Sequence, residues 1–297
     1  MIDFPADQLR AFAAVVDTGT FEAAARRLHV TPSAVSQRIK ALERTAGTVV
    51  VRRTNPAQAT PAGRVLVRLA RQLDLLASEA AAELSAAAGG TDAPTARAPI
   101  ALVVNADSLA TWFGAALPVL AADPNLELEI LREDEAFSAE HLRSGRVMGA
   151  VTTSGRPVQG CAADLLGSMR YLAVAAPAFA DRWFGPDGPG LAGAPAVHFD
   201  RNDAHQRDLI RGHAGAAARP PGHHVPDSVQ FVEAIRAGLG WGMVPEQQIP
   251  GDGSLRLLDP SWVHEVPLYW QRWKLDSPAL ARVTAAVKGA AAAGLPR

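Results

Sequence analysis

Ser33, Ser36, Gln37 and Lys40 recur at i, i+3, i+4 and i+7, with Arg38 on the flank. On a helix this spacing makes one stripe that is polar, rich in donors and free of acids. Hydroxyl and carboxamide groups match base edges in a major groove, and ammonium or guanidinium groups hold phosphates. A second set of residues offers a different chemistry. Asn105, Asp107, Ser108 and Leu109, then Glu133-Asp134-Glu135, Thr152, Asp200, Asp203 and Ser228 recur where apolar strand-like runs end. Such edges are where open α/β sheets bind small ligands.

The first set needs a rigid scaffold, and the surrounding residues supply one. Val35, Ile39 and Leu42 repeat at i, i+4 and i+7 on the opposite, inward face. Thr31 is placed to cap this helix and Pro32 takes its first position, where a missing N–H costs nothing. A shorter helix precedes it, capped by Thr20, with Phe21, Ala24, Ala25 and Leu28 on one face and a turn at His29-Val30. Two helices so joined form a helix-turn-helix, which points to double-stranded DNA as the partner. Gln8 to Val16 reads as a first helix closed by Gly19. Thr48 to Arg53 reads as a strand and Thr54-Asn55-Pro56 as turn chemistry, which together make a wing with Arg52 and Arg53 set for phosphates or the minor groove.

Pro61 opens a long helix expected to run to about Ala88. Leu66, Leu69, Leu73 and Leu76 are spaced 3, 4, 3, and Ala80 and Leu84 continue the stripe, so a partner helix is expected there. Gly89 to Pro94 reads as a hinge. Beyond it, apolar strands alternate with helices: Ile100 to Val104, Ser108 to Ala121, Leu126 to Leu131 and Val147 to Thr152, then Ala196 to Phe199, Ser228 to Ala237, Gly242 to Val244, Leu268 to Trp273 and Pro278 to Ala293. That order implies parallel sheets. The expected division is 1–63 for DNA binding, 64–90 for a linker helix, 91–97 for the hinge and 98–297 for a two-lobed body. Lobe 1 is 98–165 with 267–297, and lobe 2 is 166–266. Deleting Met1 to Leu84 is expected to leave a soluble ligand-binding body.

In the body, Asn105-Ala106-Asp107-Ser108 opens a helix, so either its free N–H groups and the Ser108 hydroxyl take an anion such as an α-carboxylate, or Asp107 and Ser108 only cap the helix. Glu133-Asp134-Glu135 is either a solvated turn or, by strand alternation, a source of one carboxylate for the cleft. Phe199 to Asp203 offers further carboxylates on the second lobe, and Thr152-Thr153 and Asp227-Ser228 stand at two more strand-to-loop edges. An anion site facing carboxylates suits a zwitterion with an extra positive charge, as in lysine or arginine. No catalytic constellation is expected. Ser108 with His198, His205 or Asp200 lacks a nucleophile-elbow glycine pattern. His213 and His223-His224 lack Cys or acidic partners at metal-ligand spacing, so no metal site is expected.

Charge is uneven along the chain. Met1 to Leu76 hold eleven Lys and Arg against six Asp and Glu, a net +5, while the whole chain is −1, so the remainder carries −6. A basic end on an acidic body separates a DNA-facing part from a part for something else. One cysteine, Cys161, forms no intrachain disulfide, and packing is its expected role. The first residues are acidic where a secretion signal is basic, and no run of about 18 apolar residues appears, so no membrane span and a cytoplasmic location are expected.

Phe21 to Ala25, Leu28, Thr31 to Ser36, Ile39 and Leu42-Glu43, followed by Thr60-Pro61-Ala62-Gly63, resemble the winged helix-turn-helix of LysR-type transcriptional regulators. The resemblance implies an N-terminal all-α winged helix-turn-helix plus long linker helix, and a C-terminal α/β two-lobed, periplasmic-binding-protein-like effector domain. It also implies a homodimer through the linker helix, a homotetramer and contact with RNA polymerase. Asn105 to Trp112, Glu133-Asp134-Glu135, Gly149-Ala150-Val151 and Leu268-Tyr269-Trp270 resemble the LysG/ArgP subgroup. That narrower likeness implies lysine or arginine as effector, with no cofactor, and control of a basic amino-acid exporter gene. The Pro/Gly-rich segment Gly185 to Pro195 and the loop Arg219 to His224 depart from it.

Overall fold

Three helices at the N-terminus fold around one apolar nucleus. The computed structural model describes residues 3–87, 97–133 and 135–296, without the side chains of 86 and 135–137. The expected hinge therefore lies outside the described residues except for Arg97. Helices α1 (Ala6–Thr18), α2 (Phe21–Arg27) and α3 (Pro32–Ala46) bury Leu9, Phe12, Val15, Ala24, Val35, Ile39 and Leu42 together. Both threonine caps form. Thr20 Oγ1 accepts from the Ala23 N–H at 3.1 Å and Thr31 Oγ1 from the Ala34 N–H at 3.2 Å, each contributing about 1 kcal/mol. His29 makes the turn in the left-handed region, at φ 54°.

The wing is shorter than the sequence suggests. Strand β1 is Val51–Arg52, antiparallel to β2 (Gln58–Ala59). Residues before β1 are held by helices instead: the Val50 N–H donates to Glu43 Oε1 at 3.0 Å, and the Val50 carbonyl accepts from the Thr60 N–H. Gly63 lies against this point, where an added Cβ would stand 2.0 Å from the Val50 oxygen. Close backbone approach therefore requires the glycine of Thr60-Pro61-Ala62-Gly63.

Helix α4 (Pro61–Ala87) divides its leucines differently from the expected seam. Leu66 is buried in the winged-helix core and Leu69 packs against that core, while Leu73, Leu76 and Leu84 are exposed. Leu75, off the seam, is fully buried in the core of the body. One turn on, Glu79 Oε1 accepts from Ser277 Oγ at 2.7 Å and from the Ala279 N–H at 2.8 Å. Glu79 thereby caps the C-terminal helix of the same chain.

The body holds β3 (Ala98–Val104), α5 (Ala106–Ala110), a 3-10 turn (Trp112–Ala116), α6 (Leu117–Ala121), β4 (Leu126–Arg132), α7 (Glu135–Arg143), β5 (Gly149–Thr152) and β6 (Cys161–Ala175). There follow α8 (Pro177–Phe184), β7 (Ala196–His198), α9 (His205–Ala214), β8 (Gly222–His224), α10 (Ser228–Arg236), β9 (Gly242–Pro245), β10 (Arg256–Leu257), β11 (Val263–Trp273) and α11 (Pro278–Gly294). The single helix expected over Ser108 to Ala121 is broken because Thr111 leaves the helical region (φ −122°, ψ −104°).

The wholly parallel expectation is corrected. Strands β3, β4 and β5 pair in parallel, as do β7 and β8, but β11 pairs antiparallel with β5 and β6, and β6 antiparallel with β9 and β10. The main sheet runs β10-β6-β11-β5-β3-β4, with β9 also on β6. Strands β6 and β11 are the long elements common to both ends of this sheet, and their register shifts at Leu268/Tyr269, beside Gly167 at φ 144°. Among the described residues no helix is long and apolar enough to cross a membrane.

Candidate functional site

Helix α3 turns its polar stripe outward. Thr31, Pro32, Ser33, Gln37 and Lys40 are exposed, and Ser36 is half-buried. Arg38 is partly committed, with Nε 3.2 Å from Asp7 of α1. On the wing, Arg52 and Arg53 are exposed, and the Arg53 guanidinium lies 5.1 Å from the centroid of the Phe21 ring, which fixes it over the start of α2. The face thus carries short polar side chains at its centre and cations at both edges.

The second site is a cavity of about 340 Å³ between β3–α5, the loop after β7, and β6, β9 and β11. Asp107 stands at its floor. Its Oδ2 accepts from Tyr171 Oη at 2.8 Å and its Oδ1 from Ser228 Oγ at 3.0 Å. Burial raises the Asp107 pKa above the usual carboxylate range; the Tyr171 and Ser228 hydroxyls and nearby His205 oppose that shift, and Asp203 adds to it. Asn105 Oδ1 is buried beside it with no partner among the described residues. From lobe 2, Asp200 and Asp203 line the cavity. Asp200 Oδ1 accepts the N–H groups of Asn202 and Asp203 at 2.6 and 2.9 Å. The two oxygens of Asp203 accept those of Phe199 and His205 at 2.8 and 3.0 Å. Among the described residues no Lys or Arg lines this cavity. It is a small acidic pocket, and among the described residues the half-buried Asp107 carboxylate takes its side-chain hydrogen bonds from hydroxyls.

Other candidates turn elsewhere. Ser108, next to Asp107, points into the core, where its Oγ accepts from Trp112 Nε1 at 3.1 Å. Successive helical residues point about 100° apart, so only one of the pair reaches the cavity. That placement also removes Ser108 from any triad. The expectation that α5 opens an anion hole finds a helix of only five residues with no side-chain cap. Leu109 packs on the core. Glu133 faces His141 Nε2 at 3.6 Å and does not line the cavity. Asp134 and the Glu135 side chain lie outside the described residues. Thr152 is buried in lobe 1, donating to the Ser154 carbonyl and accepting from Gln271 Nε2, each at 3.2 Å.

Three cavity residues have no sequence signal of their own. Tyr171 stacks on His205 at 4.3 Å between ring centroids, and His205 Nδ1 lies 2.8 Å from His264 Nδ1. Burial is the largest cause that lowers the His205 pKa; Asp203 opposes it and His264 adds to it. A separate opening of about 780 Å³ lies between the winged helices and lobe 1, lined by acids and bases together. Several of its charges are already paired: Arg10 with Asp74, and Arg71 with both Asp17 and the Arg146 carbonyl. Cys161 is buried and its thiol is pushed up to about 11 by that burial, as suits a packing residue.

Residues 6–64 match the family of bacterial regulatory helix-turn-helix proteins of the lysR type, and residues 96–292 match the LysR substrate binding domain. The chain belongs to the LysR family. This LysR-family chain is 43% identical over 292 residues to the lysine export transcriptional regulatory protein LysG of Corynebacterium glutamicum, covering 97% of this chain and 98% of that one. Its structure is similar to full-length LysG from Corynebacterium glutamicum with bound effector Arg, at TM-score 0.82 and 42% identity over 99% of this chain and 100% of that one. It is also similar to ArgP from Mycobacterium tuberculosis, at TM-score 0.84 and 48% identity over 98% of each. Within the family, it falls in the LysG/ArgP-like subgroup and is a DNA-binding transcriptional regulator.

Proposed function

We propose that this regulator is gated by a basic amino acid, lysine or arginine, held in the acidic cavity between its lobes, and that it activates a basic amino-acid exporter gene. The observation that carries this reading is Asp107, a half-buried carboxylate with hydroxyl partners and no Lys or Arg paired to it among the described residues, in a pocket shared with Asp200 and Asp203. A buried charge without a counter-ion is costly, and a ligand ammonium or guanidinium supplies the missing partner. Asn105, with its unpartnered Oδ1, adds an acceptor for an N–H donor. The Arg-bound LysG relative supports the same chemistry.

On the DNA side, Ser33, Ser36 and Gln37 read bases of the operator. Thr31, Pro32, Lys40, Arg52 and Arg53 shape or anchor the contact, with Arg38 released from Asp7 or held by it. Exposed Leu73, Leu76 and Leu84 on α4 support a homodimer through the linker helix. A homotetramer and a contact with RNA polymerase in the cytoplasm follow the subgroup's architecture. The register shift at Leu268/Tyr269 supports the division into lobe 1 (98–165, 267–297) and lobe 2 (166–266), with 1–63, 64–90 and 91–97 ahead of them.

The test is twofold. Titration calorimetry of the full chain across the amino acids should give saturable heat for lysine or arginine; heat from a neutral amino acid or another amine alone would overturn the basic-ligand reading. A gel shift with DNA upstream of the exporter gene should show sequence-specific binding whose pattern responds to the same ligand.

A further inference from the structure

Lobe 2 holds a second cavity, of about 340 Å³, on the outer side of α9. Its walls are His198, Arg207, Ile210, Arg211, Arg219 and Pro220, together with small loop residues, and no acid among the described residues lines it. Arg207 and Arg211 stand at i and i+4 on one face of α9, and Arg219 comes from the Pro-rich loop that departs from the subgroup's pattern. Three arginines thus line one hollow.

Their geometry is fixed by backbone rather than by carboxylates. Arg207 donates from Nη1 to the Arg201 carbonyl at 2.7 Å and from Nη2 to the Asn202 carbonyl at 3.1 Å. Arg219 Nη1 donates to the carbonyls of Ala216 and Ala218 at 2.6 and 2.8 Å. Neither has a carboxylate within ion-pair distance among the described residues, and Arg211 meets Asp208 only at 3.7 Å on an exposed helix turn. Asp203 acts on His198 through space, but both its oxygens already accept backbone N–H groups. Carbonyls orient a guanidinium without neutralising it, and each guanidinium has five N–H donors, so several remain for a ligand.

We propose that this cavity is a binding site for a phosphate-bearing small molecule. Phosphate carries nearly two negative charges and three outward oxygens, so three separate guanidinium forks can each be met at once. A carboxylate offers two oxygens on one side only. Arg207 links the cavity to the cleft. The carbonyls it holds belong to the loop whose Asp200, Asn202 and Asp203 line the other pocket, so an anion here braces that loop from behind.

The test is titration calorimetry of the full chain with pyrophosphate and with inorganic phosphate, at fixed ionic strength so that screening stays constant. Saturable binding of one anion per chain is expected. Arg211→Gln and Arg219→Gln, each shown by melting curve and circular dichroism to fold as the parent does, should weaken it at least about tenfold, the value of one charge-assisted hydrogen bond. Absence of saturable binding, or unchanged affinity in both variants, would overturn the site. Citrate binding as tightly as pyrophosphate would overturn the assignment to phosphate. No basic amino acid enters these measurements, so they succeed or fail independently of the reading of the inter-lobe cavity.

Discussion

The two binding faces keep their charge in opposite places. On α3 and the wing, Lys40, Arg52 and Arg53 stand in water and the apolar residues Val35, Ile39 and Leu42 lie beneath them. In the inter-lobe cavity the charge proposed to hold the effector, Asp107, is half-buried and takes hydrogen bonds from the Tyr171 and Ser228 hydroxyls. The difference follows from the partners. DNA is a dense, fixed array of charge that rewards many solvated cations through counter-ion release. A single small cation offers one charge, which binds with useful strength only where water has been excluded beforehand. The DNA face should therefore be graded and tolerant, and the cavity all-or-none.

The sharpest way to break that contrast is Asp107→Asn. Removing one partner of a buried charge pair costs about 3–5 kcal/mol, so calorimetry should show the basic amino acid bound about a hundredfold to several thousandfold more weakly. A loss of only a few-fold would place the critical charge on Asp200 or Asp203 instead. Next in size is Gln37→Ala, which should cost about 1–3 kcal/mol at one operator position and relax base choice there. A panel of single-base operator variants measures it. If every operator weakens alike, Gln37 anchors rather than reads.

The same Asp107→Asn change sharpens the contrast from the stability side. Because burial holds the folded-state pKa of Asp107 above its unfolded value, the native state binds the proton more readily. The ionised group therefore destabilises the ligand-free protein at neutral pH, and stability recovers as pH is lowered through that raised pKa. The asparagine variant should be more stable than the parent at neutral pH, with the gap closing as the pH approaches the carboxylate range. Melting curves across pH check this; a variant that is less stable at neutral pH would show that the hydroxyls already offset the burial. The smallest effect is expected from Arg52→Ala, which should lower the salt slope of DNA binding by about one and weaken all sequences alike.

The DNA half was legible because its signals are local. The caps at Thr20 and Thr31, Pro32 at the first helical position and the i, i+4, i+7 aliphatics all act within a few residues, and the structure realises each of them. The cavity was only half legible. Strand ends pointed to Asn105, Asp107, Asp200, Asp203 and Ser228, which the fold brings together. Tyr171 and His264 lie within long strands that only the tertiary pairing of β6 with β11 brings side by side, and His205 reaches them from the start of a helix distant in sequence. Spacing also could not tell Asp107 from Ser108, which face cleft and core, or show that Glu133 turns to His141. The leucine stripe on α4 misled for a related reason. A heptad count treats a helix as having one neighbour, whereas this one serves the winged-helix core, the body and an exposed face in turn.

Leu75 and Glu79 bear on how the protein can be divided. A fragment starting after Leu84, expected from sequence to stand alone, would carry an apolar socket emptied of a leucine side chain. Filling such a void is worth about 2–5 kcal/mol. The same cut strips from the amino end of α11 a carboxylate that the Ser277 hydroxyl and the Ala279 amide both use. An excised sensor should therefore melt earlier and clump more readily than the intact chain. A cut placed ahead of Leu75, retaining the last turns of α4, should yield the better-behaved piece.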